Sequence, residues 1–237
     1  MTARILDLFS GIGGFSLAAH WAGFQTVAFC EVDPFCQKVL AKNFPGVPIY
    51  DDVRTLTRER MEGDGIGAID IICGGYPCQP FSLAGKRGGA EDDRHLWPEM
   101  FRLVQEWRPT WVIGENVAGH ISLGLDQVLF DLESIGYSSR PLVIPACAVD
   151  APHRRDRVWI VAHSFGYRLQ GREKESRVET PKQQLSRFLP PNPWPKDPMP
   201  EKNGVAHGIP NRVDRLRALG NAIVPQVAFE IFKAMGE

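Results

Sequence analysis

Residues 5–15 read Ile5-Leu6-Asp7-Leu8-Phe9-Ser10-Gly11-Ile12-Gly13-Gly14-Phe15, an apolar strand-like run that breaks at a glycine-rich turn and resumes as a helical pattern. Strand, glycine turn and helix in this order open many α/β domains, because glycines let a backbone approach a ligand closely at the end of the strand. About twenty residues further on, Phe29-Cys30-Glu31-Val32-Asp33 ends a second apolar run in a carboxylate, the spacing at which an acidic group can bind a ribose diol. The turn is not a true GxGxxG, so its glycines specify no dinucleotide, and a plain tight turn would read the same way.

Outward from that stretch, short β-type runs alternate with helical periodicity. Strands are predicted at 5–9, 26–31, 69–73, 111–115, 140–144 and 158–162, and helices at 15–22, 34–43, 96–107 and 125–135. Alternation of this kind predicts a doubly wound α/β sheet with helices on both faces. Near His163 the composition changes to a charged stretch and then a proline-rich one. Seven of the 19 prolines fall within 181–200, where fixed φ angles and missing donors exclude a helix or a central strand. Apolar periodicity returns at Val213–Met235 and predicts a closing helix broken near Gly220 and Pro225.

The 237 residues carry 27 Lys+Arg and 28 Asp+Glu with 43% hydrophobic residues, which suits one compact domain with an appendage and excludes disorder, collagen and coiled coil. Apolar runs are cut by charges well short of a membrane span, and Met1 to Arg4 lead directly into a strand, so neither a membrane segment nor a secretory leader is expected. A cytoplasmic location follows. Five cysteines with no CxxC pair argue against a disulfide framework and a structural zinc site, and no metal is expected. The net charge of −1 excludes bulk positive potential as the grip on a polyanion. The surplus of base lies in the second half, the better candidate for meeting phosphate.

Two further motifs carry chemistry. Ile69-Asp70-Ile71-Ile72-Cys73 runs into Gly74-Gly75-Tyr76-Pro77-Cys78-Gln79-Pro80-Phe81-Ser82, which puts Cys78 in a loop at the carboxyl edge of the sheet. A thiol of pKa about 8.5 becomes a good nucleophile there only when a positive group favours the thiolate. Arg155 and Arg157, in Pro152-His153-Arg154-Arg155-Asp156-Arg157, are the candidates. Trp111-Val112-Ile113-Gly114-Glu115-Asn116-Val117 ends a hydrophobic strand in Glu115, whose pKa partial desolvation can raise enough to donate a proton near neutrality. A solvated strand end is the simpler alternative for a lone Glu, and phosphate contact or an ion pair with Asp156 for the arginines.

Taken in order, Asp7–Gly14, Glu31, Asp52-Val53, Gly75–Ser82, Glu115-Asn116-Val117, Arg155 and Arg157, and Gly220-Asn221-Ala222 resemble the motif series of DNA (cytosine-5) methyltransferases over about residues 4–162 and 213–232. The resemblance implies a Rossmann-like sheet dependent on S-adenosylmethionine with a small irregular target-recognition insert: a catalytic cofactor-binding domain at 1–162, the insert at 163–212, and a segment at 213–237 completing the catalytic domain. It assigns Cys78 to attack cytosine C6, Glu115 to N3 and the exocyclic amine, Arg157 to O2, and Arg155 to placing thiolate and base.

For S-adenosylmethionine the resemblance implies Phe9 against the adenine, the turn of Gly11, Gly13 and Gly14 against the methionine moiety, Glu31 on the ribose and Asp52 on the adenine amine. Val32, Val53, Pro77, Leu96 and Asn221 complete the implied pocket. Val32 stands where the family often has an aromatic, and His153 where it has Gln, changes expected to alter affinity rather than abolish activity. The implied partner is double-stranded DNA, with a flipped cytosine enclosed by the loop 83–94, and a cognate restriction endonuclease is a candidate functional partner. A monomer in the cytoplasm of a bacterial or phage-infected cell is expected. A transfer RNA cytosine-5 methyltransferase, a silent DNA-binding paralogue and an unrelated nucleotide-binding module are the alternatives. The charged insert favours DNA over transfer RNA, intact Cys78, Glu115 and arginines disfavour a silent paralogue, and Pro77-Cys78-Gln79 is unexplained by the module.

Overall fold

The computed structural model describes residues 2–77, 95–164 and 212–236. Cys78, the loop 83–94 and nearly all of the insert 163–212 lie outside the described residues.

Seven strands form one sheet: β1 (Arg4–Leu8), β2 (Gln25–Cys30), β3 (Ile49–Tyr50), β4 (Ile71–Gly74), β5 (Trp111–Val117), β6 (Tyr137–Pro145) and β7 (Asp156–Ser164), in the order β3-β2-β1-β4-β5-β7-β6. The first five strands are parallel, while β7 runs antiparallel to both β5 and β6. The helices are α1 (Gly14–Trp21), α2 (Pro34–Asn43), α3 (Arg58–Gly63), α4 (Trp97–Trp107), α5 (Leu125–Ser134), α6 (Arg212–Asn221) and α7 (Pro225–Gly236).

The central strands β1 and β4 are buried on both faces, which is why they are mostly apolar, whereas the edge strand β6 is largely exposed and mixed in composition. Leu6, Leu8, Ile72 and Val112 face a core shared with Met100, Leu103 and Leu132 of α4 and α5. Their strand neighbours Ile5, Ile71, Cys73 and Ile113 face the opposite core, filled by Phe15 and Ala18 of α1 and Val227 and Phe232 of α7. Phe15 meets Trp159 and Phe232 edge to face, and such a cluster fixes the C-terminal helix on the sheet.

Every predicted strand and helix exists, with ends shifted by at most three residues. Strand β7 continues through His163 and Ser164, two residues past the boundary that composition marked. Strand β6 tolerates Pro141 because it is an edge strand, where a missing N–H disturbs no ladder on the open side. Helix α3 and strand β3 were not predicted. Met61 is the one buried residue of α3, and two residues are too few to alternate. No helix among the described residues is long and apolar enough to cross a membrane.

Candidate active site

The order of the parallel strands reverses between β1 and β4, and the crevice at their carboxyl ends is where open α/β sheets bind ligands. Phe9–Gly13 leaves β1 there, and Gly75–Pro77 leaves β4. Glu115 arrives on β5 next door. Backbone geometry at the first turn is unusual: Phe9 (φ 51°), Gly11 (φ 54°) and Gly13 (φ 88°) all adopt positive φ, a region that costs a non-glycine residue energy.

Glu31 closes this turn from the end of β2. Its Oε2 accepts the Gly11 N–H at 2.7 Å and its Oε1 accepts the Asp33 N–H at 2.8 Å. The carboxylate is thereby oriented by two backbone donors. Asp33 in turn caps α2, accepting from Phe35 N, with Pro34 at the first helical position.

A cleft of about 460 Å³ opens between these ends. Phe9, Gly11, Glu31 and Val32 line it from the β1 and β2 side, and Asp52, Val53 and Leu96 from the flank. Pro77, Glu115, Arg157 and Asn221 line the remaining wall. Asp52 accepts from Arg54 Nε and N, and these bonds hold its carboxyl below the usual range. The cleft therefore offers an aromatic ring, two anionic acceptors and an amide side chain, a donor set that fits a nucleoside bearing a ribose diol.

At the inner end, Arg157 Nε lies 3.0 Å from Glu115 Oε1. The register explains the meeting: Arg157 sits opposite Val117 and Trp159 opposite Glu115, so the pair are diagonal neighbours across antiparallel strands. Glu115 is 8% exposed. Burial pushes its carboxyl up to about 7, against the opposing pull of Arg157 and Arg155. Gly75 makes room for it, since a Cβ there would stand 3.2 Å from Glu115 Oε2.

Three expected residues sit elsewhere. Gly13 and Gly14 line a second, larger depression of about 980 Å³ between α1 and the turn joining α6 to α7. They are packing glycines: a Cβ on Gly13 would come 2.6 Å from the Phe44 ring, and one on Gly14 would come 2.6 Å from Ile223 Cγ1. Arg155 does not bond to Glu115. Its Nη2 donates to the carbonyls of Gly220 and Ala222, both at 2.8 Å, capping the end of α6. Sequence reading missed Asp33, Arg54 and Arg217 on the cleft wall, and the ion pair of Arg217 Nη1 with Asp33 Oδ2 at 3.6 Å. Their only signal is charge beside a motif.

The family model for C-5 cytosine-specific DNA methylases matches residues 3–207. The chain belongs to this family. Type II methyltransferase M.AquIA of Picosynechococcus is 34% identical over 187 residues, covering 72% of this chain and 75% of the relative. M2.BsuMI of Bacillus subtilis is 36% identical over 171 residues, 68% of this chain but 42% of the relative. A crystal structure of a prophage-encoded E. coli protein described as a DNA modification methyltransferase superposes with a TM-score of 0.59 at 30% identity, covering 70% of this chain and 47% of that one. The chain thus spans less than half the length of M2.BsuMI and of the prophage-encoded protein. DNMT2 of Spodoptera frugiperda shares the fold at 22% identity, with a TM-score of 0.59 over 73% of this chain and 54% of that one.

Proposed function

We propose that this cytosine methylase transfers a methyl group from S-adenosylmethionine to C5 of cytosine in duplex DNA, through a covalent adduct of Cys78 with an extruded base. The observation that carries the reading is the pairing of buried Glu115 with half-buried Arg157 at the inner end of a cleft whose other end fits a nucleoside.

Phe9 would pack on the adenine, Asp52 would accept from its amine, and Glu31 would accept from the ribose hydroxyls, with Leu96, Val53 and Asn221 completing the walls. When bound, this donor supplies an electrophilic methyl group. The chain's own residues prepare the base. The Cys78 thiolate adds to C6, and Glu115 delivers its proton to N3 as the electron pair moves into the ring, leaving C5 nucleophilic. After methylation at C5, a water molecule takes the C5 proton as the C6–S bond breaks and the thiolate departs, and the N3 proton returns to Glu115, which restores both groups. Arg157, holding Glu115 from one side, has N–H donors available for the O2 of the base.

Cys78 follows directly on Pro77, which lines the cleft. Burial pushes the described thiols of Cys30 and Cys36 up to about 12 and 11, and raises that of Cys73 well above the usual thiol range, so these three are poor nucleophiles. Extrusion of the base is required because C5 and C6 are inaccessible within a stacked duplex. Base readout falls to the basic insert 163–212, and a restriction partner and a monomeric cytoplasmic enzyme fit the same reading.

A duplex carrying 5-fluorocytosine at the target tests it, because fluorine cannot leave C5 as a proton does. Incubation with S-adenosylmethionine should give a denaturation-resistant protein–DNA adduct that maps to Cys78 and is absent in Cys78→Ala. Wild-type rates of methylation by Cys78→Ala would overturn the mechanism.

A further inference from the structure

We propose that Tyr76 and His120 form a positioning pair that fixes the link leaving β4, two residues short of Cys78, against the segment carrying Glu115. The inference rests on the methyl-transfer reading above and gives a role to Tyr76, which lies within the Gly75–Ser82 motif and on the cleft wall without an assigned function, and to His120.

Tyr76 lies two positions before Cys78, on the short link leaving β4. Its ring is 3% exposed, and Tyr76 Oη and His120 Nε2 are hydrogen-bonded at 2.8 Å. His120 is equally buried and sits in the 3₁₀ turn Ala118–Ser122 that directly follows β5. Burial, with a contribution from His95, holds its imidazole below the ordinary range and so favours the neutral ring.

Two more contacts join the same pair of segments. Asn116 Nδ2 donates to the Tyr76 carbonyl at 3.0 Å, while Asn116 Oδ1 accepts the Val117 N–H at 2.9 Å. Gly114 lets β5 pass beneath the Tyr76 ring, where a Cβ would approach to 3.0 Å. On its far side the ring packs against Trp97 at 5.1 Å between centroids, and Trp97 Nε1 donates to Asp131 Oδ2 at 2.8 Å.

The run 114–120 therefore holds Glu115 and grips Tyr76 at both its backbone and its hydroxyl. Packing alone would be met by a phenylalanine. A buried hydroxyl paired with a buried imidazole adds direction, because leaving either group unsatisfied is costly. Addition of a nucleophile from one segment to a base protonated from another is sensitive to displacements of about 1 Å, so a bond that sets the relative position of the two segments acts on the rate of attack.

The experiment compares wild type, Tyr76→Phe, His120→Gln, His120→Leu and the double variant Tyr76→Phe/His120→Leu. Its readouts are the single-turnover rate of adduct formation with 5-fluorocytosine duplex and the affinity for S-adenosylmethionine by calorimetry. Tyr76→Phe and His120→Leu should each slow adduct formation roughly 3- to 10-fold, about the worth of one neutral hydrogen bond. Cofactor affinity should stay at the wild-type level. His120→Gln, which keeps a polar partner for the hydroxyl, should recover most of the rate, and the double variant should be no slower than the slower single one. A Tyr76→Phe enzyme with the wild-type rate, or effects that multiply in the double variant, would overturn the pairing. Absence of any adduct with wild type would instead overturn the underlying reading of Cys78.

Discussion

Arg157 reaches Glu115 from the neighbouring antiparallel strand, and the 3.0 Å contact of Nε with Oε1 is made at the buried end of the cleft. Two opposed effects meet on this carboxyl. Desolvation raises its pKa and the guanidinium lowers it, with desolvation prevailing to leave a value of about 7. A group in that position keeps a substantial protonated fraction at neutrality, which is what proton donation to the base requires. Methyl transfer at subsaturating DNA, normalised to the thiolate fraction of Cys78, should therefore fall as pH rises through about 7. In Glu115→Gln the limb should vanish and the rate drop by roughly 10²–10⁴-fold, the usual worth of general acid catalysis. Single-turnover rates between pH 6 and 9 check this, and an unchanged limb in Glu115→Gln would assign the titration to another group.

Arg157→Met separates charge from packing. Removing the nearby cation takes away an influence that lowers the Glu115 pKa, so the alkaline limb should move to higher pH while the rate falls for want of the base contact. A limb that moved to lower pH would contradict the electrostatic assignment.

Glu31 is held by Gly11 N–H and Asp33 N–H before any ligand arrives, so little ordering remains when ribose hydroxyls donate to it. Glu31→Ala removes the acceptor and also frees the turn. Hydrogen bonds to a charged group are worth about 1.5–3 kcal/mol, so S-adenosylmethionine affinity should weaken by roughly 10- to 100-fold. Calorimetry on the two proteins decides it. Equal affinities would place the ribose away from β2.

Much of this architecture was legible because its determinants are local. Apolar runs such as Ile5–Leu8 and Ile71–Cys73 mark strands buried on both faces, and Pro34 after Asp33 marks a helix start. Helix α3 was hidden because it owes its place to tertiary contacts, among them the Arg58 N–H on Glu106 of α4. At the site, residue types inside motifs were readable but their division of labour was not. Arg155 and Arg157 differ by two positions, yet one reaches Glu115 and the other the end of α6, a difference set by Arg155's positive φ of 40° and by the docking of the C-terminal helices. Tyr76 lies inside the Gly75–Ser82 motif, but its meeting with His120 is made only by the fold, and no spacing in the sequence flags it.

Asp7 is fully buried beneath the glycine turn. Its Oδ2 accepts from Ser16 Oγ at 2.7 Å, and Oδ1 has no hydrogen-bond partner among the described residues. Burial pushes its carboxyl up to about 8. A folded pKa above the unfolded value means that the folded state binds the extra proton. The stability this contributes is fully present below about pH 4 and is lost as pH rises towards 8. Asp7→Asn keeps the shape and removes the titration, so relative to wild type it should gain stability between pH 5 and 8.5. Denaturant midpoints at the two pH values test this, and parallel pH profiles would mean that Asp7 is ionised in the folded protein.

Arg155 is the residue for which sequence motif and geometry differ most, and one variant separates them. By resemblance it should act on the thiolate and the base. In the structure its Nη2 donates to Gly220 and Ala222 carbonyls, the residues flanking Asn221 on the cleft wall. A cation at the C-terminal end of α6 also meets the negative pole of the helix, which adds to the two bonds. If holding this turn is its work, Arg155→Ala should loosen the junction of α6 and α7 and displace Asn221. Hydrogen exchange at 220–224 should then quicken, and S-adenosylmethionine affinity should fall several-fold. Adduct formation at saturating cofactor should be affected much less. The opposite pattern, with exchange and cofactor affinity unchanged and the adduct rate collapsed, would return Arg155 to the reacting base and leave the capping bonds as a feature of the unliganded protein.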